Sequence, residues 1–167
     1  MSPVQPIAAE TAAADGPPLR TDFDRSVSYL LTALANKLCM GASRRQRRIL
    51  DVGLMEWRVL ALLAVEPGAS PGRIAEVAGV DKSVVSRAVT SLDGRDLLMV
   101  AAVEAGGRQT SLTLTPEGLA LHDRGIISAL ATEARLLEGF SEDERRQLVD
   151  QLKRLTANVA RINGRPD

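Results

Sequence analysis

Residues 70–89 read SPGRIAEVAGVDKSVVSRAV, and this stretch decides the fold. Ser70 stands before Pro71. A serine oxygen caps the free amides of a helix start, and proline is tolerated at the first helical position, where its missing N–H would have no partner anyway. The spacing predicts a short helix to about Ala78, with Ile74 and Ala78 on one face. Gly79 breaks it where the chain must turn sharply. Asp81 offers a second N-cap, and Val84, Val85, Ala88 and Leu92 follow at helical spacing. Ala75, Gly79 and Val85 fall where two crossing helices approach closely. Two helices joined by a tight glycine-containing turn make a helix-turn-helix. Its second helix presents Lys82, Ser83, Ser86, Arg87 and Thr90 outward, residue types suited to phosphates and to base edges in a major groove. Paired capped helices also occur in all-α domains with no such role, so the flanking sequence decides between the two.

Downstream, Leu97 to Val103 is an apolar run too short for another independent helix. Glu104-Ala105-Gly106-Gly107 reads as a turn, because Gly-Gly supplies the positive φ that hairpins need. Arg108 to Thr115 then alternates polar and apolar, the period of a half-buried strand. A β-hairpin directly after a helix-turn-helix is a wing. Arg108 at its tip suits a narrow minor groove; the alternative is a solvated turn arginine.

Here the pattern becomes specific. From about Leu54 to Leu121 the chain resembles the MarR family of winged-helix transcription regulators. The resemblance is carried by Leu54, Trp57-Arg58-Val59-Leu60, Ile74-Ala75, Val80-Asp81-Lys82-Ser83, Val85-Ser86-Arg87, Leu92, Arg95, Leu97, Gly107-Arg108 and Leu114-Thr115-Pro116-Glu117-Gly118. Long flanking helices extend it to most of the chain after about residue 22. Two positions depart from the family pattern: Asp96 stands where glycine is frequent before the first wing strand, and Gly106 where an acidic residue usually precedes the wing arginine. The resemblance implies a dimer. It also implies a response to small, often aromatic or anionic, effectors bound between the dimer helices and the winged core, which makes Tyr29 and Trp57 candidate ligand-lining residues. One branch of the family senses peroxides through a cysteine in the first helix, which makes Cys39 a candidate redox residue; an inert, half-buried thiol is the alternative.

Composition bounds the rest. Lys plus Arg and Asp plus Glu both total 21 among 167 residues, so the net charge is near zero. Binding to nucleic acid must then rest on local patches rather than global basicity. One is Arg44, Arg45, Arg47 and Arg48; another is Arg73, Lys82, Arg87 and Arg108. Aromatics are scarce, so the core must be Leu, Val, Ala and Ile, which suits helices. Cys39 is the only cysteine, which excludes an intrachain disulfide and fits a reducing compartment. No long apolar span or signal-like segment appears, so a soluble cytoplasmic protein with no membrane partner is expected. His122 has no second ligand at metal spacing, no phosphate-cradling motif occurs, and no strand-borne nucleophile appears; no metal, no cofactor and no enzyme activity are expected.

The fold class expected is mainly α with a small β-hairpin wing. Residues 1–20 form a Pro/Ala-rich tail, expected to be disordered. Residues 21–53 hold the N-terminal dimerisation helix and linker. Its apolar stripe is Phe23, Val27, Leu30, Leu34 and Leu38, starting near Asp22, ending near Gly41–Ser43, and followed by a short helix from Arg44 to Leu50. Residues 54–115 form the winged helix-turn-helix core, and 116–167 the C-terminal dimerisation helices, the last opened by the capping box Ser141-x-x-Glu144. Stripes longer than one winged helix can cover point to a two-fold dimer. The function expected is a sequence-specific, double-stranded-DNA-binding regulator: a ligand-responsive dimeric repressor whose two recognition helices read half-sites of a pseudo-palindrome. The DNA contacts expected are Arg73, Lys82, Ser83, Ser86, Arg87, Thr90 and Arg108. The alternatives are a winged helix that binds protein and a thiol-based sensor using Cys39.

Overall fold

The computed structural model describes residues 22–102 and 110–164. Its elements run α1 (Val27–Leu50), α2 (Leu54–Val65), α3 (Pro71–Ala78), α4 (Lys82–Asp93), β1 (Leu98–Ala102), β2 (Thr110–Leu114), α5 (Pro116–Leu136) and α6 (Glu142–Asn163). This is the expected fold class, a helical chain with one antiparallel hairpin, in which Leu98 faces Leu114 and Val100 faces Leu112. The chain divides into two units, one ending at Cys39 and one beginning at Met40.

In the first unit, residues 22–26 are a turn rather than the first turn of a helix. The Ser26 amide donates to the Asp22 carbonyl, and the Asp24 amide to Asp22 Oδ1 at 3.1 Å. These bonds close a separate turn, and the regular helix α1 starts at Val27. The expected break at Gly41–Ser43 and the separate helix from Arg44 are also corrected: α1 continues through to Leu50. A single glycine costs an exposed helix only about 1 kcal/mol relative to alanine. No proline or capping side chain reinforces it there. Asp51, at φ 54°, is where the helix ends.

In the second unit the core lies among α2, α3, α4, the hairpin and the start of α5. Val59, Leu60, Leu63, Ile74, Val85, Leu92 and Leu112 are completely buried. Each such side chain contributes on the order of 1.5–3 kcal/mol relative to exposure. Two backbone bonds extend the hairpin's reach: the Gly68 amide donates to the Leu112 carbonyl, and the Leu112 amide to that of Ala69. Asp96 sits at φ 53°, in the left-handed region. That backbone explains why glycine is favoured there, and a short polar side chain is the next best tolerated. Thr115 then caps α5, accepting from the Gly118 amide at 3.0 Å while its hydroxyl donates to the Asp96 carbonyl at 2.7 Å.

Two glycines set how close α5 comes. A Cβ on Gly118 would stand 1.9 Å from the Leu97 carbonyl oxygen, and one on Gly125 would stand 2.3 Å from the Trp57 ring. At Gly118 the obstacle is backbone, which cannot give way without moving α5 itself; at Gly125 it is the Trp57 and Leu50 side chains, which must shift if α5 does not. By contrast α6 carries no buried side chain, although its capping box forms as expected.

Candidate nucleic-acid interface

The helix-turn-helix is assembled by its caps. Ser70 Oγ accepts from the Arg73 amide at 3.2 Å, with Pro71 at the first helical position. Gly79 ends α3 at φ 63°, its amide and that of Val80 returning to carbonyls of the last turn. Asp81 Oδ1 then accepts from the Ser83 amide at 2.7 Å and starts α4. The Ser83 side chain, then its amide, hold the Asp81 carboxyl below its ordinary value of 3.8. The cap is therefore ionised wherever α4 is formed at neutral pH.

Helix α4 has two distinct sides. Val85, Ala88 and Leu92 are buried, which fixes its rotation about its own axis. Lys82, Ser83, Ser86, Arg87 and Thr90 are all exposed, in the order i, i+1, i+4, i+5, i+8 that forms one outward row. The free amides of the first turn lie at the Lys82–Ser83 end, where the helix dipole favours anions. The first turn of α3 borders this row: Gly72, Glu76, Asp81 and Lys82 line one open concavity of about 440 Å³.

Arg73 is exposed beside that concavity, but its guanidinium is occupied. Nε lies 3.0 Å from Glu66 Oε1, and Nη1 lies 3.2 Å from Glu76 Oε2. These bonds, that to Glu66 foremost, raise its already high pKa. Arg108, expected at the wing tip, lies outside the described residues.

The far end of α4 and the segment after it are held by bonds that the sequence did not show. Glu56 accepts both from the Gly53 amide and from the Ser91 hydroxyl, so one carboxylate ties the start of α2 to α4. Arg95 donates to the Asp51 carbonyl at 2.8 Å, and Arg124 reaches the Ile49 carbonyl at 3.3 Å. These partners are 35, 44 and 75 residues apart. No local spacing rule connects them.

Of the residues proposed for effectors, Trp57 is buried, with its ring stacked on His122 at 5.8 Å and 7°. It also lines, with Arg58, Ala61, Leu62, Val65 and Ile74, a groove of about 410 Å³ between α2 and α3. Tyr29 belongs to the first unit, its ring 4.6 Å from that of Phe23. Cys39 is half-buried on α1. Of the arginine run, Arg44, Arg47 and Arg48 are exposed and Arg45 is half-buried. Among the described residues no cluster of His, Cys, Asp or Glu is placed to hold a metal, and no helix is long and apolar enough to cross a membrane.

The MarR family model matches residues 50–109, a span that contains α2, α3, α4 and β1. Among solved structures, a MarR/EmrR family transcriptional regulator from Acinetobacter sp. ADP1 is 30% identical, with 84% of this chain and 99% of that chain covered and a TM-score of 0.79. A putative MarR family transcriptional regulator from Listeria monocytogenes, complexed with a 26mer DNA, is 20% identical over 86% of this chain and 98% of that one, with a TM-score of 0.78. The PcaV transcriptional regulator from Streptomyces coelicolor, in complex with its natural ligand, is 23% identical over 83% and 97%, with a TM-score of 0.69. No curated protein matches the sequence.

Proposed function

The chain belongs to the MarR family of transcriptional regulators, which are not enzymes, and from that premise we propose that it binds double-stranded DNA sequence-specifically. The observation that carries this reading is the outward row Lys82, Ser83, Ser86, Arg87 and Thr90 on α4, backed by a fully buried inner face. Arg87 lies midway along the row, where a guanidinium reaches guanine O6 and N7 with two parallel bonds. Ser83 and Ser86 are short donors to phosphate or base edges. Lys82 meets phosphate at the positive end of the helix, and Thr90 a base or a thymine methyl. Arg108 adds a wing contact. The Listeria relative, of the same fold, is seen on DNA.

The working form is a two-fold homodimer reading a pseudo-palindrome. Leu152 and Val159 on α6, Ile127 and Leu130 on α5, and Val27, Leu30 and Leu34 on α1 are all large apolar side chains left exposed. A second copy covers them, and its symmetry axis sets two copies of α4 about one DNA turn apart, roughly 34 Å. The protein acts as a repressor whose hold on DNA responds to a small aromatic or anionic effector. The groove beside Trp57 is lined mostly by apolar residues, with Arg58 among them.

Fluorescence anisotropy with duplexes tiling the DNA upstream of the protein's own gene tests this, with scrambled competitor at near-physiological salt. One tile binding tightly above the others is the expected result. Failure to prefer any tile, followed by failure to enrich any sequence from random duplexes, would overturn it in favour of a protein-binding winged helix.

A further inference from the structure

Arg73 is a cation of the helix-turn-helix that is already spoken for. Its two ion pairs come from different elements, Glu66 just after α2 and Glu76 on the next turn of α3. Glu76 shares an open concavity with Lys82, the first residue of the outward row, so the clasp borders the face assigned to DNA. Two of its five N–H groups are taken, and two carboxylates set against one guanidinium leave a phosphate no net positive charge to meet there. DNA phosphates supply affinity to every sequence alike, one counterion-release increment per cation engaged.

We propose that Glu66 and Glu76 are inhibitory residues of the interface: they keep Arg73 off the DNA backbone, so that α3 and α4 meet phosphates with one cation fewer than their sequence offers. This rests on the DNA-binding reading above and adds a brake to it. The brake acts on the backbone term and is blind to base sequence. It fits a protein whose net charge is near zero and which must leave non-specific DNA to find its site.

The test uses the full chain with Glu66→Gln/Glu76→Gln, Arg73→Ala and the triple variant, titrated against a preferred duplex and a scrambled one over a range of salt. The double variant is expected to bind both duplexes more tightly by a similar factor. Its plot of log K against log salt should steepen by about 0.9, so that each fourfold dilution of salt gains roughly three- to fourfold more affinity than in the parent. In the triple variant the steepening is expected to vanish. A gain that survives in the triple variant would mean that the carboxylates merely repel phosphate, and would overturn the clasp. A gain on only one duplex would point to base contacts and also overturn it. Circular dichroism checks that each variant is folded. The Nε–H resonance of Arg73 supplies an independent reading: on adding scrambled duplex it should stay in place in the parent and shift in the double variant. An unchanged slope and an unshifted resonance in the double variant would sink the proposal while leaving DNA binding intact. Parent protein that binds no duplex even at low salt would sink both.

Discussion

The helix-turn-helix and the C-terminal helix α6 are built from similar apolar side chains, yet they end in opposite circumstances. In the first, with the helix α2 packed against it, Leu60, Leu63, Ile74, Val85 and Leu92 lose essentially all contact with water within one chain. In α6, Leu152 and Val159 stay 40% and 52% exposed, and no side chain is buried. Both regions have well-made caps: Asp81 on Ser83, and Ser141 with Glu144. Capping therefore does not separate them; packing partners do. A capped amphipathic helix with an uncovered stripe has the local signals of a stable element without the tertiary burial that usually stabilises one. The difference teaches that the winged core buries its apolar side chains within one chain while α6 leaves its stripe uncovered, the surface that the proposed dimer would cover.

The sharpest way to break that contrast is to make one chemical change in both regions. Leu60→Ala empties a fully enclosed site and is expected to cost about 2–5 kcal/mol, seen as a large fall in thermal midpoint at any protein concentration. Leu152→Ala should move stability by no more than about 0.5 kcal/mol where the chain is monomeric. It should instead shift the monomer–dimer midpoint to higher concentration in sedimentation equilibrium. Equal losses from the two variants would erase the distinction.

A second, smaller effect probes the edge of the core. Gly125→Ala forces a methyl against the Trp57 ring and the Leu50 side chain. Overpacking of this kind costs about 1–3 kcal/mol. Because Trp57 is the only tryptophan, its emission should report the displacement. Unchanged emission and midpoint would show that α5 does not hold this separation.

The smallest expected effect is in acid, where the two regions should behave alike. Asp81 is held below 3.8 by the Ser83 hydroxyl and amide, and Glu144 below 4.5 by the Ser141 amide and hydroxyl. A depressed carboxylate binds fewer protons folded than unfolded. Its contribution is complete above the unfolded value and is lost as pH falls through the folded one. Helix starts α4 and α6 should thus fray below about pH 4 and not between pH 5 and 8. Amide exchange at Ser83 and Glu144 checks this. Asp81→Asn, which caps without titrating, should remove the acid dependence at α4 only.

What the sequence made legible follows the range of the forces involved. The caps Ser70, Asp81 and Ser141, the turn at Gly79 and the outward row of α4 are all local patterns, and the structure has the elements that they predict. Single residues misled where a local signal was weak: Gly41 looked like a helix end, but nothing beside it stops α1, and the helix expected from near Asp22 starts at Val27 after a separate turn. Glu56, Arg95 and the Glu66–Arg73 pair stayed hidden because a charged residue reads as solvated until the fold brings its partner close. Arg73 therefore read as a plain phosphate contact, and only the folded geometry places two carboxylates on it.

The most direct measurement is a paired titration of the parent and Arg87→Ala against the preferred duplex and a scrambled one at near-physiological salt. The account predicts that Arg87→Ala loses about 1–3 kcal/mol of binding to the preferred duplex, with the thermal midpoint unchanged because Arg87 is exposed. Equal binding by the two proteins, with the parent still selective for its duplex, would contradict the assignment of α4 as the reading helix.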